Sequence, residues 1–314
     1  MTAYLIRRIF QALVTLLVVS IITFILLHLL PGGTVRGLLG AKATPLAVKQ
    51  LTAQMGLNRP LPTQYLTWIG NVLHGDFGYD YFYQQSVGSL ITGALGQSMY
   101  IVGLSLVIAV LIAVPIGVVQ ATHRNSVIDH GLTFISFVLY GIPTFLIAFL
   151  AQDLFVDQLG WIQPNNDIAS FHDAFSQPAA MILPVGVLAL TTFAGYSRYM
   201  RSSMLDELTQ EYVRTATAKG ASKSRVLYGH VLRNAMIPMI TLIGLSLPAL
   251  VGGAVIIENV FNIQGIGLLT VNAALKLDFG TTAAITLITA GLTVIGSLLA
   301  DLSYAALDPR VRLD

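Results

Sequence analysis

The sequence predicts an all-α membrane protein that crosses the bilayer six times and brings both ends of the chain to one side. Three observations carry this expectation. Mean hydropathy is +0.74 and only 10% of residues are charged, where a soluble domain has about 25%. Six stretches run free of Asp, Glu, Lys and Arg for about the 20 residues that a helix needs to cross a hydrocarbon core of roughly 30 Å. Basic residues, finally, are distributed unevenly between alternate connections.

The windows are Ile9 to Leu30, Met99 to Val119, Leu132 to Leu150, Ala179 to Tyr196, Met236 to Ile257 and Thr282 to Ala300. The first follows Arg7 and Arg8 and is longer than the apolar core of a signal peptide, so a retained anchor is expected. Cleavage near "AKA" at 41–43 is the alternative. Between the first two windows, Pro31 to Gln97 is too long for a tight connection, and "TPLAVKQLTAQMGL" and "PTQYLTWIGNVLHG" within it read as helices of a small cap. Tyr79, Tyr81, Phe82 and Tyr83 near its end are expected to anchor at lipid headgroups. In the second span Ser105, Ala109, Ala113 and Gly117 form a stripe of small residues along which another helix of the same chain can pack closely. Gly141 and Pro143 interrupt the third span, Pro184 and Gly186 the fourth, and Pro248 and Gly252 the fifth. These are candidate bend points or pathway linings, and irregularity absorbed by packing explains them equally well.

Twelve of the 17 Lys and Arg lie at the N-terminus, in the 2–3 and 4–5 connections and at the C-terminus, against five in the opposite connections. The positive-inside bias therefore puts both termini and the 4–5 loop in the cytoplasm. The net charge of +2 gives no electrostatic footprint for nucleic acid. Cysteine is absent, which excludes disulfides, thiolate nucleophiles and thiolate metal sites. His123 and His130 have no carboxylate at ligand spacing, so no metal site is expected. Phosphate-binding loops, HExxH and GxSxG are missing too, and the chain is expected to be no enzyme. An ion-coupled secondary transporter or channel, the main rival, would need repeats and ionisable groups at membrane depth, and His28, Asp129, Asp153, Glu258 and Asp301 sit only at span ends.

The 4–5 loop, Ser197 to Asn234, contains "EYVRTATAKGASKSR". Residues tolerant of helix run from Glu211 to Lys219, with Glu211 placed to suit the helix dipole. Gly220 supplies a left-handed stop, and Ser222 or Ser224 can cap a second helix leading into span five. Small residues (Thr215, Ala216, Thr217, Ala218) bordered by Tyr212, Val213, Arg214 and Lys219 suit either a protein docking surface or a basic patch on anionic lipid. The tight turn favours docking, because a lipid patch needs charge but no fixed backbone.

"EYVRTATAKGASKSRVLYGHVLRNAMIPMI" resembles the cytoplasmic EAA loop of ABC importer permeases, in the form of the dipeptide, oligopeptide and nickel branch. "IRRIF…LLHLLPGG", "GLNRPLPTQYLTWIGNVLHGDFGYDY", "VIIENVFNIQGIGLL" and "DLSYAALDPRVR" are similar to further segments of that branch in the same order, so the resemblance covers nearly the whole chain. It implies the type I importer fold: an N-terminal helix and external cap (1–97), a five-helix core (98–305) with its coupling loop at 197–234, and a cytoplasmic tail (306–314). It also implies a second homologous permease, two ABC ATPase subunits or domains that hold ATP and Mg, an extracytoplasmic substrate-binding protein and a bacterial-type inner membrane, with no cofactor bound by this chain itself. By the same resemblance Glu211 to Ala221 form the coupling helix. Glu211 and Gly220 match the motif's acid and glycine, Ala216 and Ala218 its small positions, and Asn234 and Pro238 the residues that follow. The opening Glu-Ala-Ala of the family is Glu-Tyr-Val here. Short peptides are the expected substrate; nickel or other metal chelates, haem and other small solutes are the alternatives.

Overall fold

In a bilayer a backbone must satisfy its own hydrogen bonds, so long apolar runs become helices. The computed structural model describes residues 2–29, 35, 39, 44–54, 56–80, 82–162, 176–246, 249 and 254–307. Helix α1 is Thr2–Leu29. The cap follows with α2 (Pro45–Gln54), α3 (Leu61–Leu73) and a short antiparallel hairpin, β1 (Tyr79–Asp80) with β2 (Gln85–Ser86). Next come α4 (Val87–Thr122), α5 (Val127–Gly141), α6 (Thr144–Gln152) and α7 (Pro178–Leu208). Helix α8 is Glu211–Ala218. Helix α9 (Lys223–Val226) runs through a π turn into α10 (Leu232–Leu245). The chain continues as α11 (Val255–Val260), α12 (Ile266–Leu275) and α13 (Phe279–Leu307).

Among the described residues five helical segments are long and apolar enough to cross a membrane: Ile6–Leu26, Val87–Thr122, Pro178–Leu208, Lys223–Leu245 and Phe279–Leu299. The expected third span is not one helix. Val127–Gly141 and Thr144–Gln158 meet at 96°, and only together do they make a sixth crossing. Proline disfavours the helical conformation in the residue before it, and Ile142 is accordingly extended (φ −78°, ψ 129°). The fifth span also differs from expectation. It starts at Lys223 and ends at Leu245, while Ile257, its expected end, lies in the separate helix α11. The cap ends at Ser86, not Gln97, because the Ser86 hydroxyl accepts the Ser89 N–H and starts α4 there.

The small-residue stripe on α4 is buried against α7. Ser105 donates its hydroxyl to the Val185 carbonyl (3.1 Å), and a Cβ at Gly117 would lie 2.6 Å from the Met200 Cβ. Since 105 faces 185 and 117 faces 200, the two helices run parallel, starting from the cap side. At their far end Arg201 grips Asp129 through two hydrogen bonds of 2.7 Å, fastening α5 to α7. The end of α1 meets the cap through Ser20 with Tyr65 (2.7 Å) and His28 with Gln64 (3.0 Å). The start of α13 meets the hairpin through Thr281 and Asp80 (3.2 Å). Thus α1 begins, and α13 ends, on the face opposite the cap.

Candidate coupling surface

Helix α8 lies on that opposite face, just after α7. Eight residues are too few for an isolated helix, so tertiary contacts must hold it. Tyr212, Val213 and Ala216, which share one side at helical spacing, are half-buried against the core cluster built on Met200, Met204 and Val231. The Tyr212 hydroxyl donates to Glu207 (2.6 Å). Burial, reinforced by that acceptor, pushes the Tyr212 phenol up, with Asn234 pulling slightly the other way. On the other side Glu211, Arg214, Thr215 and Ala218 are exposed, followed by Lys219 and Gly220. Glu211 and Arg214 approach to 3.4 Å, an exposed pair that adds little to stability.

The helix ends as its glycine requires. Gly220 has φ +83°, the Gly220 N–H donates to Thr217 (3.0 Å) and the Ala221 N–H to Ala216 (3.2 Å). This is a Schellman closure, completed by the accompanying apolar contact, since Ala216 and Ala221 both pack on the core. Ser222 then caps α9 by accepting the Arg225 N–H (3.4 Å). The ten residues singled out from the sequence therefore divide. Tyr212, Val213, Ala216 and Ala221 hold the helix to the bundle, while Glu211, Arg214, Thr215, Ala218, Lys219 and Gly220 are presented outward.

The candidate bend or pathway residues are dispersed. Gly141 is exposed at the end of α5, and Pro143 opens α6 beyond the bend. Helix α7 continues unbroken through Pro184 and Gly186, while Pro248 and Gly252 lie outside the described residues. A cavity of about 210 Å³ lies elsewhere, between Val102 and Leu106 of α4, Leu188 and Thr192 of α7, and Ser246, Ala249 and Ala254. None of the four described bend residues lines it.

Two sites on the cap side were not expected. Glu258, read from the sequence as a boundary residue, is fully buried and accepts hydrogen bonds from Ser98 (2.7 Å), Ala254 N (3.1 Å) and Leu268 N (3.0 Å). Asp80 and Asp278 are both buried and converge on Thr281. Burial pushes the Asp278 carboxyl up, and Asp80 beside it adds to the effect against the Thr281 hydrogen bonds. The expected lipid-facing aromatics have another neighbour as well: the Lys276 ammonium sits 4.2 Å from the Tyr83 ring centre and 5.6 Å from that of Phe82. Tyr81 lies outside the described residues. Among the described residues no group of three or more His, Asp or Glu could hold a metal ion.

Residues 113–313 match the binding-protein-dependent transport system inner membrane component family, and residues 1–102 match the N-terminal region of such membrane components. The chain is 38% identical over 315 residues to the oligopeptide transport system permease protein AppB of Bacillus subtilis, spanning 99% of both chains. It is 34% identical over 312 residues to the "Probable peptide ABC transporter permease protein y4tP" of Sinorhizobium fredii, spanning 99% of this chain and 100% of that one. A multi-pass helical chain with a short helix held against the face opposite its cap, matched end to end by these permeases, belongs to the binding-protein-dependent transport system inner membrane components.

Proposed function

We propose that this permease component forms half of a translocation pathway for short peptides, paired with a second, homologous permease. Two ATPase subunits or domains, which hold the ATP and Mg, engage the exposed face of α8, and an extracytoplasmic binding protein delivers substrate on the cap side. The positive-inside count supports this orientation, with α8 in the cytoplasm. The names of the relatives support peptide as cargo. The apolar surfaces of α1 and of the bent α5–α6 pair suit contact with lipid or the partner permease.

The observation that carries the coupling role is the division of α8 into two faces. A helix held by Tyr212, Val213 and Ala216 moves with α7 and α9, so force on Arg214, Thr215 or Ala218 passes to the transmembrane bundle. ATP can shift such a bundle only by favouring one of its states. ATP binding closes the ATPases, draws the two coupling helices together and opens the pathway toward the cap; hydrolysis resets it.

The test uses the assembled transporter in proteoliposomes, with peptide uptake and ATP hydrolysis measured together. Gly220→Val forces a β-branched residue to positive φ, and the displaced α8 is expected to lower uptake about tenfold or more while leaving membrane insertion intact. Unchanged uptake and unchanged stimulation of ATP hydrolysis in the assembled complex would remove the coupling assignment.

A further inference from the structure

The Glu258 carboxylate ties α4, 160 residues away in sequence, to the starts of α11 and α12. One oxygen takes the Ser98 hydroxyl of α4 and the Ala254 N–H, and the other takes the Leu268 N–H in the first turn of α12. Ser98 in turn accepts the Ile266 N–H (2.8 Å). The room for this carboxylate comes from two glycines. A Cβ on Gly265 would overlap the carboxylate itself, and one on Gly267 would lie 2.8 Å from its Oε2 and 2.6 Å from the Val255 Cα. Gly265 has an ordinary φ of −89°, so it is glycine for space and not for backbone freedom.

This junction stands at the end of the cavity nearer the cap. Ala254, whose N–H it holds, is part of the cavity wall, and Ser98 lies one turn before Val102, another wall residue. Opening the cavity toward the cap by moving α11 and α12 away from α4 therefore breaks the Ser98–Glu258 and Ile266–Ser98 hydrogen bonds. We infer that Glu258 is a positioning residue: the latch that holds the cap-side end of the cavity closed in the resting transporter. All three of its donors are neutral, so replacing the carboxylate by an amide leaves no cation stranded but turns one acceptor into a donor facing a donor.

The inference rests on the proposed alternating pathway, and its test separates the two. Because the chain has no cysteine, Thr192→Cys places a single thiol in the cavity wall. Labelling of this chain by a membrane-impermeant maleimide added from the cap side is followed in the full transporter, with and without nucleotide trapping. With Glu258 intact, labelling is expected to be slow at rest and fast when trapped. Glu258→Gln is expected to raise the resting rate about tenfold, the loss of one hydrogen bond to a charged group, and to leave the trapped rate unchanged. An unchanged resting rate, or an equal rise in both states as general loosening would give, overturns the latch. If Glu258→Gln does not assemble, Ser98→Ala decides: it removes the bridge to α4 and the acceptor of the Ile266 N–H but keeps both backbone bonds to Glu258, and is expected to raise the resting rate about tenfold or more. No rise there also overturns the latch. If Thr192→Cys is unlabelled even in the trapped parent, the alternating pathway itself is wrong and the latch falls with it.

Discussion

The two connections flanking α9–α10 use glycine for opposite reasons. Before it, Gly220 has nothing within 4 Å of where a Cβ would stand, but its φ is +83°. After it, Gly265 and Gly267 have no room for a Cβ at all. The first connection is charged, exposed on one face and built for local shape. The second buries the Glu258 carboxylate under one hydroxyl and two backbone donors and is built for closeness. The surface proposed to meet a partner keeps its outer face open while its inner face packs on the core and its turn fixes its end; the junction proposed to stay shut is held by close packing throughout.

The largest expected effect comes from Gly265→Ala, whose methyl group cannot fit beside the Glu258 carboxylate. Overpacking of this kind should destabilise the permease by about 3 kcal/mol, seen as a lower thermal unfolding midpoint in detergent. Gly220→Ala should cost only about 1 kcal/mol, the penalty of a left-handed L-residue, and Gly220→Asn less, because asparagine tolerates that conformation. Equal costs at the two positions would erase the distinction.

The smallest effect concerns pH at the junction of the hairpin and α13. Asp278 has a carboxyl raised above its ordinary value of 3.8. Folding therefore favours its protonated form, and that stabilisation is present at low pH and lost as pH rises through the raised value. Hydrogen exchange at the Phe82 and Tyr83 amides, which donate to Asp80 (2.7 and 2.9 Å), should show more frequent opening as pH rises above 3.8, after correction for intrinsic rates. Asp278→Asn should flatten that trend.

What could be read in the sequence was local. The apolar runs, the two cap helices, the Gly220 stop and a serine cap at 222 or 224 each depend on residues within a few positions of one another. The inward turn of Tyr212, Val213 and Ala216 follows from helical spacing only once the direction of the bundle is known. The sites that escaped notice are pairings across the chain: Asp129 with Arg201 is 72 residues apart, Ser98 with Glu258 160, and Asp80 with Thr281 201. The Ser126 to Asp129 spacing marks a helix start but carries no sign of Arg201. The 96° bend was implicit in Gly141 to Pro143, but its size depends on how α6 packs against α7 and α11.

The most direct test of the coupling role is site-specific cross-linking from α8 to the ATPase in the assembled transporter, using single cysteines in this cysteine-free chain. Thr215→Cys and Ala218→Cys, on the exposed face, are expected to cross-link, while Val213→Cys and Ala216→Cys, turned toward the core, are not. Cross-linking at all four positions alike, or at none of them in a complex that still transports, would contradict a helix that receives the ATPase on one face and passes its motion to the membrane through the other.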